Sequence, residues 1–71
     1  MPYVEIKMFE NELSESETKD LIKEVTDVVV SHAGEKLRDA TWVVVQEVQS
    51  GNWGVGGKTL GLKDVQAIKN S

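Results

Sequence analysis

Thr41-Trp42-Val43-Val44-Val45-Gln46-Glu47-Val48 is the stretch on which the fold turns. Its β-branched and aromatic residues predict a strand. The unbroken apolar run Trp42 to Val45 asks for cover on both faces of the sheet it joins. Upstream, residues Pro2 to Phe9 alternate: Val4, Ile6 and Met8 on one side, Tyr3, Glu5 and Lys7 on the other. That is the pattern of a half-buried strand. Between the two lies a helix. Ser14-Glu15-Ser16-Glu17 has the form of a capping box, in which hydroxyl and carboxylate each satisfy a free backbone N–H. Leu21, Ile22, Val25, Val28, Val29 and Ala33 follow at the spacing of one helical stripe. Gly34 is a natural terminator, so the helix is predicted at 15–33.

Strand, long helix, strand implies parallel strands with a right-handed crossover. One helix covers one face of a two-stranded sheet, and in a chain this short the other face calls for another subunit. Beyond the second strand, Ser50-Gly51-Asn52-Trp53-Gly54-Val55-Gly56-Gly57 holds four glycines in eight residues. This density predicts left-handed or strained backbone in a hairpin, and close approach by something bulky. Leu62, Val65 and Ile68 mark a short C-terminal helix or arm that docks on a neighbour. The expected fold is α+β: a single domain over residues 1–71, built as one β-α-β unit with parallel strands, a glycine-rich hairpin and a C-terminal arm.

Composition narrows the function. The chain has 71 residues, 39% hydrophobic and 28% charged, with twelve acids against eight bases and a net charge of −4. That balance lacks the basic footprint of nucleic-acid or anionic-membrane binding. The four-residue apolar run is far below the ~20 residues of a membrane span, and no apolar leader opens the chain. The expectation is a cytoplasmic protein with no nucleic-acid or membrane partner. There is no cysteine and one histidine, which argues against disulfides, thiol chemistry and a structural zinc site. Chains below about 70–80 residues usually need a staple, and oligomerisation is the one left.

The glycine-rich segment lacks the Gly-Lys-Ser/Thr ending of a P-loop and the spacing of a dinucleotide fingerprint. Trp53, flanked by Gly51 and Gly54, reads as an interface anchor or a pocket wall. His32 suits the positive charge wanted at a helix C-terminus. Glu10, Glu12, Glu15 and Glu17 read as solvated surface and helix-start charges. Pro2 is different. A small second residue permits removal of the initiator methionine, which leaves a secondary amine on a rigid ring. Ordinary α-amino groups titrate at about 8. Burial or a nearby cation lowers that value toward neutrality, where a base suits proton abstraction next to a carbonyl.

Met1-Pro2-Tyr3-Val4, Leu21-Ile22-Lys23-Glu24-Val25-Thr26 and Val45-Gln46-Glu47-Val48, leading into Gly51 to Gly57, together resemble the 4-oxalocrotonate tautomerase family. The likeness runs to about Lys58. It implies β-α-β subunits that assemble into dimers and hexamers, with active sites between subunits and no cofactor or metal. It implies a small enol or keto acid as substrate and Pro2 as the proton shuttle. Trp53 matches the family's pocket aromatic. The family's two arginines have no match: the chain reads Asn11-Glu12-Leu13 at the first position and Thr41-Trp42-Val43 at the second. The expected function is a cofactor-free keto–enol tautomerase, with Pro2 catalytic and Trp53, Trp42 and Arg38 binding substrate. The alternative is a non-catalytic or partner-dependent subunit of a homo- or hetero-oligomer.

Overall fold

A computed structural model describes all 71 residues. The elements are β1 (Tyr3–Phe9), α1 (Glu15–Ala33), a 3-10 turn (Glu35–Ala40), β2 (Trp42–Val48), β3 (Trp53–Val55), β4 (Lys58–Leu60) and α2 (Leu62–Lys69). β1 and β2 are parallel, with Tyr3 opposite Trp42, Ile6 opposite Val45 and Phe9 opposite Val48. The ladder opens with the Trp42 N–H donating to the Pro2 carbonyl at 3.0 Å and closes with Glu10 donating to Val48 at 2.9 Å.

The capping box is present. Ser14 Oγ accepts from the Glu17 N–H at 3.1 Å, and Glu17 Oε1 accepts from the Ser14 N–H at 2.9 Å. At the other end the Gly34 N–H donates to Val30 at 2.9 Å, with Gly34 at φ 116°. That left-handed value suits glycine.

The helix turns a different part of its stripe to the sheet than the periodicity implies. Val30 is its deepest residue, 4% exposed, whereas Val28 is 62% exposed and Ala33 lies open. Ile22 and Thr26, two turns and one turn before Val30 on the same line, are half-buried, and the Thr26 hydroxyl is satisfied by the Ile22 carbonyl at 2.8 Å. Leu21, Val25 and Val28 form the other edge of the apolar arc. A two-stranded sheet is too narrow to cover the whole arc, so that edge stays half-covered or bare.

The sheet itself is covered on one side. Val43 and Val45 are half-buried, while Tyr3, Trp42 and Val44 on the opposite face are exposed. The two-sided burial expected of Trp42 to Val45 is therefore not met within one chain, because a single helix reaches a single face. Only Phe9 and Val30 are buried. The radius of gyration is 14.8 Å, against about 11 Å for a compact chain of this length. The accessible surface is 5534 Å², against about 4400 Å² for a compact protein of this mass.

β3 and β4 form the expected hairpin, with Trp53 opposite Leu60 and Val55 opposite Lys58. Gly56 and Gly57 make its two-residue turn at φ 59° and 83°. Two positive φ angles in succession define the tight turn that matches strand twist, and they favour glycine. The anticipated close approach to these glycines is absent: a side chain at Gly51, Gly56 or Gly57 would meet nothing within 4 Å. The close approach falls instead at Gly61, where a Cβ would stand 3.0 Å from Ser50. Ser50 Oγ also accepts from the Leu62 N–H at 3.0 Å, pinning the start of α2. No helix is long and apolar enough to cross a membrane.

Candidate active site

Three of the four residues singled out from the sequence gather at one end of the sheet. Pro2 is half-buried at the head of β1, and its carbonyl is held by Trp42, the first residue of β2. Met1, ahead of it, is 86% exposed. Arg38 lies in the 3-10 turn that delivers the chain to Trp42, and its carbonyl accepts from the Thr41 N–H at 3.2 Å. Trp42 and Tyr3 are register partners and both face outward, 61% and 58% exposed. The Tyr3 hydroxyl donates to Glu5 at 2.9 Å, and that hydrogen bond, with the nearby negative charge, raises the phenol's pKa. Tyr3 therefore stays protonated at neutral pH.

Arg38 is heavily engaged. Nε and Nη2 donate to the two Glu35 oxygens at 2.6 and 3.2 Å, and Nη1 donates to Asp27 Oδ1 at 2.7 Å. Hydrogen bonding from Arg38 lowers the pKa of both carboxyl groups, and Lys23 adds to the effect at Asp27. These contacts tie the 3-10 turn back onto α1.

Trp53 is elsewhere. It packs on Phe9 at the far end of β1, with ring centroids 5.1 Å apart and planes tilted by 42°. With a rise of about 3.3 Å per residue, the two ends of β1 are roughly 20 Å apart. Pro2 and Trp53 of one chain therefore do not share a pocket. Trp53 forms one wall of a cavity of about 390 Å³, whose apolar lining includes Ile6, Met8, Phe9, Leu60 and Val65, with Glu12 and Asp64 among its polar residues. The sequence reading missed Phe9 as the residue that seats Trp53. Its place at the strand end, just before the polar connection, is the signal.

The loop after β1 carries acids and no cation. Asn11 adopts φ 67°, and its N–H donates to Glu47 at 3.2 Å. The Glu12 carboxylate accepts from the Phe9 N–H at 3.2 Å. Glu17 is drawn below its usual range by its hydrogen bonds from Ser14. These carboxylates are occupied in local backbone closure. His32 is exposed in the last turn of α1. No group of three His, Cys, Asp or Glu side chains is arranged to hold a metal.

A β-α-β unit headed by proline, with an aromatic-bearing glycine hairpin, is what a family model described as tautomerase enzyme matches over residues 2–63. The chain belongs to the tautomerase family. This tautomerase is 34% identical over 67 residues to the protein named "Probable tautomerase K2" of Dickeya dadantii, covering 94% of this chain and 98% of the relative. Among solved structures it is similar to the DmpI protein of Helicobacter pylori, at 30% identity and a TM-score of 0.70, over 82% of this chain and 94% of that one. It is similar also to a 4-oxalocrotonate tautomerase isozyme of Methylibium petroleiphilum, at 26% identity and a TM-score of 0.71, over 82% and 90%. Nearly all of α2 lies beyond the residues the tautomerase family model matches.

Proposed function

We propose that this tautomerase works without a cofactor, and that the Pro2 ring nitrogen, freed by loss of Met1, is its general base and then its general acid. The amine takes the hydroxyl proton of an enol. The resulting ammonium returns a proton to carbon as the carbonyl forms. Atoms and electrons balance with no other reactant. The observation that carries this reading is the position of Pro2 at the head of β1, inside the family match, behind a Met1 that is 86% exposed and so open to removal.

Substrate-binding residues follow from the same end of the sheet. Trp42, whose N–H holds the Pro2 carbonyl, offers an exposed ring at that end, and Arg38 has two of its five N–H groups unspent, enough to polarise one carbonyl oxygen. Trp53 would come from a neighbouring copy, because within one chain it lies at the opposite end of β1. The uncovered sheet face and the two-residue core support such an assembly. A homo-hexamer acting on a small enol or keto acid, as the family resemblance implies, is the form we favour.

A second reading, a partner-dependent subunit of a mixed assembly, is favoured by one observation. The chain's single arginine is committed to Asp27 and Glu35, so a further cation for substrate would come from another chain. The test is the ketonisation rate of phenylenolpyruvate with wild type and Pro2→Ala, after intact mass confirms that Met1 is gone. General-base catalysis predicts a loss of about 10²-fold or more. Equal rates would remove Pro2 from the mechanism.

A further inference from the structure

The ionic groups of the 3-10 turn and the α1 face beside it cancel. Arg38 gives its Nε/Nη2 fork to both oxygens of Glu35 and an Nη1 proton to Asp27. The second Asp27 oxygen accepts from Lys23 Nζ at 3.1 Å. Two cations thus meet two carboxylates. The same turn adds Lys36 and Asp39, which again sum to zero. On the outer sheet face Lys7 is turned to Gln46 at 2.9 Å and to Glu5 at 3.7 Å. A carboxylate is held best by a whole guanidinium fork with uncompensated positive charge behind it, and here the side-on fork is filled by the chain's own Glu35. At the opposite, Trp53 end of β1 the loop carries Asn11 and Glu12, with Glu47 of β2 beside it, and it too has no cation. What the Pro2 end does offer is flat apolar surface, with Tyr3 and Trp42 side by side and more than half exposed.

We infer that the site selects enols bearing a single carboxylate and an aromatic or otherwise flat apolar body, and discriminates against dicarboxylates. The inference rests on the Pro2 reading given above. The apolar body lies along the Trp42 ring. One carbonyl oxygen takes the unspent Arg38 N–H groups. A second carboxylate would meet a neutral ionic cluster, and would lose its hydration without a partner.

The Met1-free full-length protein is assayed for kcat/KM on phenylenolpyruvate, an aryl enol monocarboxylate, and on 2-hydroxymuconate, a dienol dicarboxylate. Each value is divided by the uncatalysed rate. The expected preference is about tenfold or more for the monocarboxylate, equivalent to about 1.4 kcal/mol in the barrier. The double variant Asp27→Asn, Glu35→Gln releases the guanidinium, and the preference should then shrink several-fold through a gain on the dicarboxylate. Pro2-dependent turnover that favours the dicarboxylate in wild type overturns the selectivity while leaving the Pro2 reading intact. An unchanged ratio in a folded double variant overturns it equally. Turnover of both substrates that Pro2→Ala leaves unaltered overturns the Pro2 reading itself.

Discussion

Phe9 and Trp53 stack with centroids 5.1 Å apart, and this contact seats the glycine hairpin against the end of β1. Phe9 is 6% exposed and is one of only two buried residues in the chain. Its loss removes half of the buried core and the partner of the pocket aromatic. Phe9→Ala should cost about 3 kcal/mol or more, the range for emptying a buried aromatic site, read as a lower urea midpoint with Trp53 becoming more solvent-exposed in fluorescence. A cost below about 1 kcal/mol would show that the hairpin is held by something other than Phe9.

The start of α1 gives a sharper, smaller effect. Ser14 holds the Glu17 N–H, and Glu17 returns the bond. Ser14→Ala should lower stability by about 1 kcal/mol, with no change in subunit mass by sedimentation. Ser14→Asp keeps an acceptor at the cap and should recover most of the loss.

Much of this was legible in advance because it is local. The capping box, the Gly34 stop, the period-2 alternation of Val4, Ile6 and Met8, and the paired glycines at 56 and 57 each act over a few residues. What the sequence concealed depends on distance. The stripe of α1 marks an apolar arc but not which edge of it meets a narrow sheet, so Val30 is buried where Val28 was expected. The 3-10 turn at Glu35–Ala40 carries no periodic signal. It is fastened by Arg38 to Asp27, eleven residues away, a pairing that spacing alone does not disclose. The candidate site divides the same way. Pro2 and Trp53 are recognisable as residues, but their separation by the length of β1 is a property of the folded chain.

Acid should loosen that turn. Arg38 holds the Asp27 and Glu35 carboxyls below their ordinary values in the folded chain. The unfolded chain then binds protons first, so stability from these pairs is present above the ordinary carboxylate range of about pH 4 and fades as pH falls through the lower folded values. Amide hydrogen exchange across residues 35–40 should quicken as pH drops below about 4, beyond the intrinsic pH trend. The quickening should shrink in Asp27→Asn with Glu35→Gln. An identical acid response in that variant would assign it to other groups.

The bare sheet face predicts association. Sedimentation equilibrium should give a mass several times the 7.9 kDa of one chain. Placing a charge on that face by Val44→Glu should lower the mass, because burying an unpaired carboxylate costs several kcal/mol. A stable 7.9 kDa species in wild type would contradict the inter-subunit site.

The most direct test is a nitrogen-15 NMR titration of Pro2 in protein whose intact mass lacks Met1. A sheltered ring amine that accepts and returns protons should titrate once, below the roughly pH 8 of ordinary α-amino groups. A nitrogen silent across that range, or one titrating at or above the ordinary value, would contradict the role assigned to Pro2.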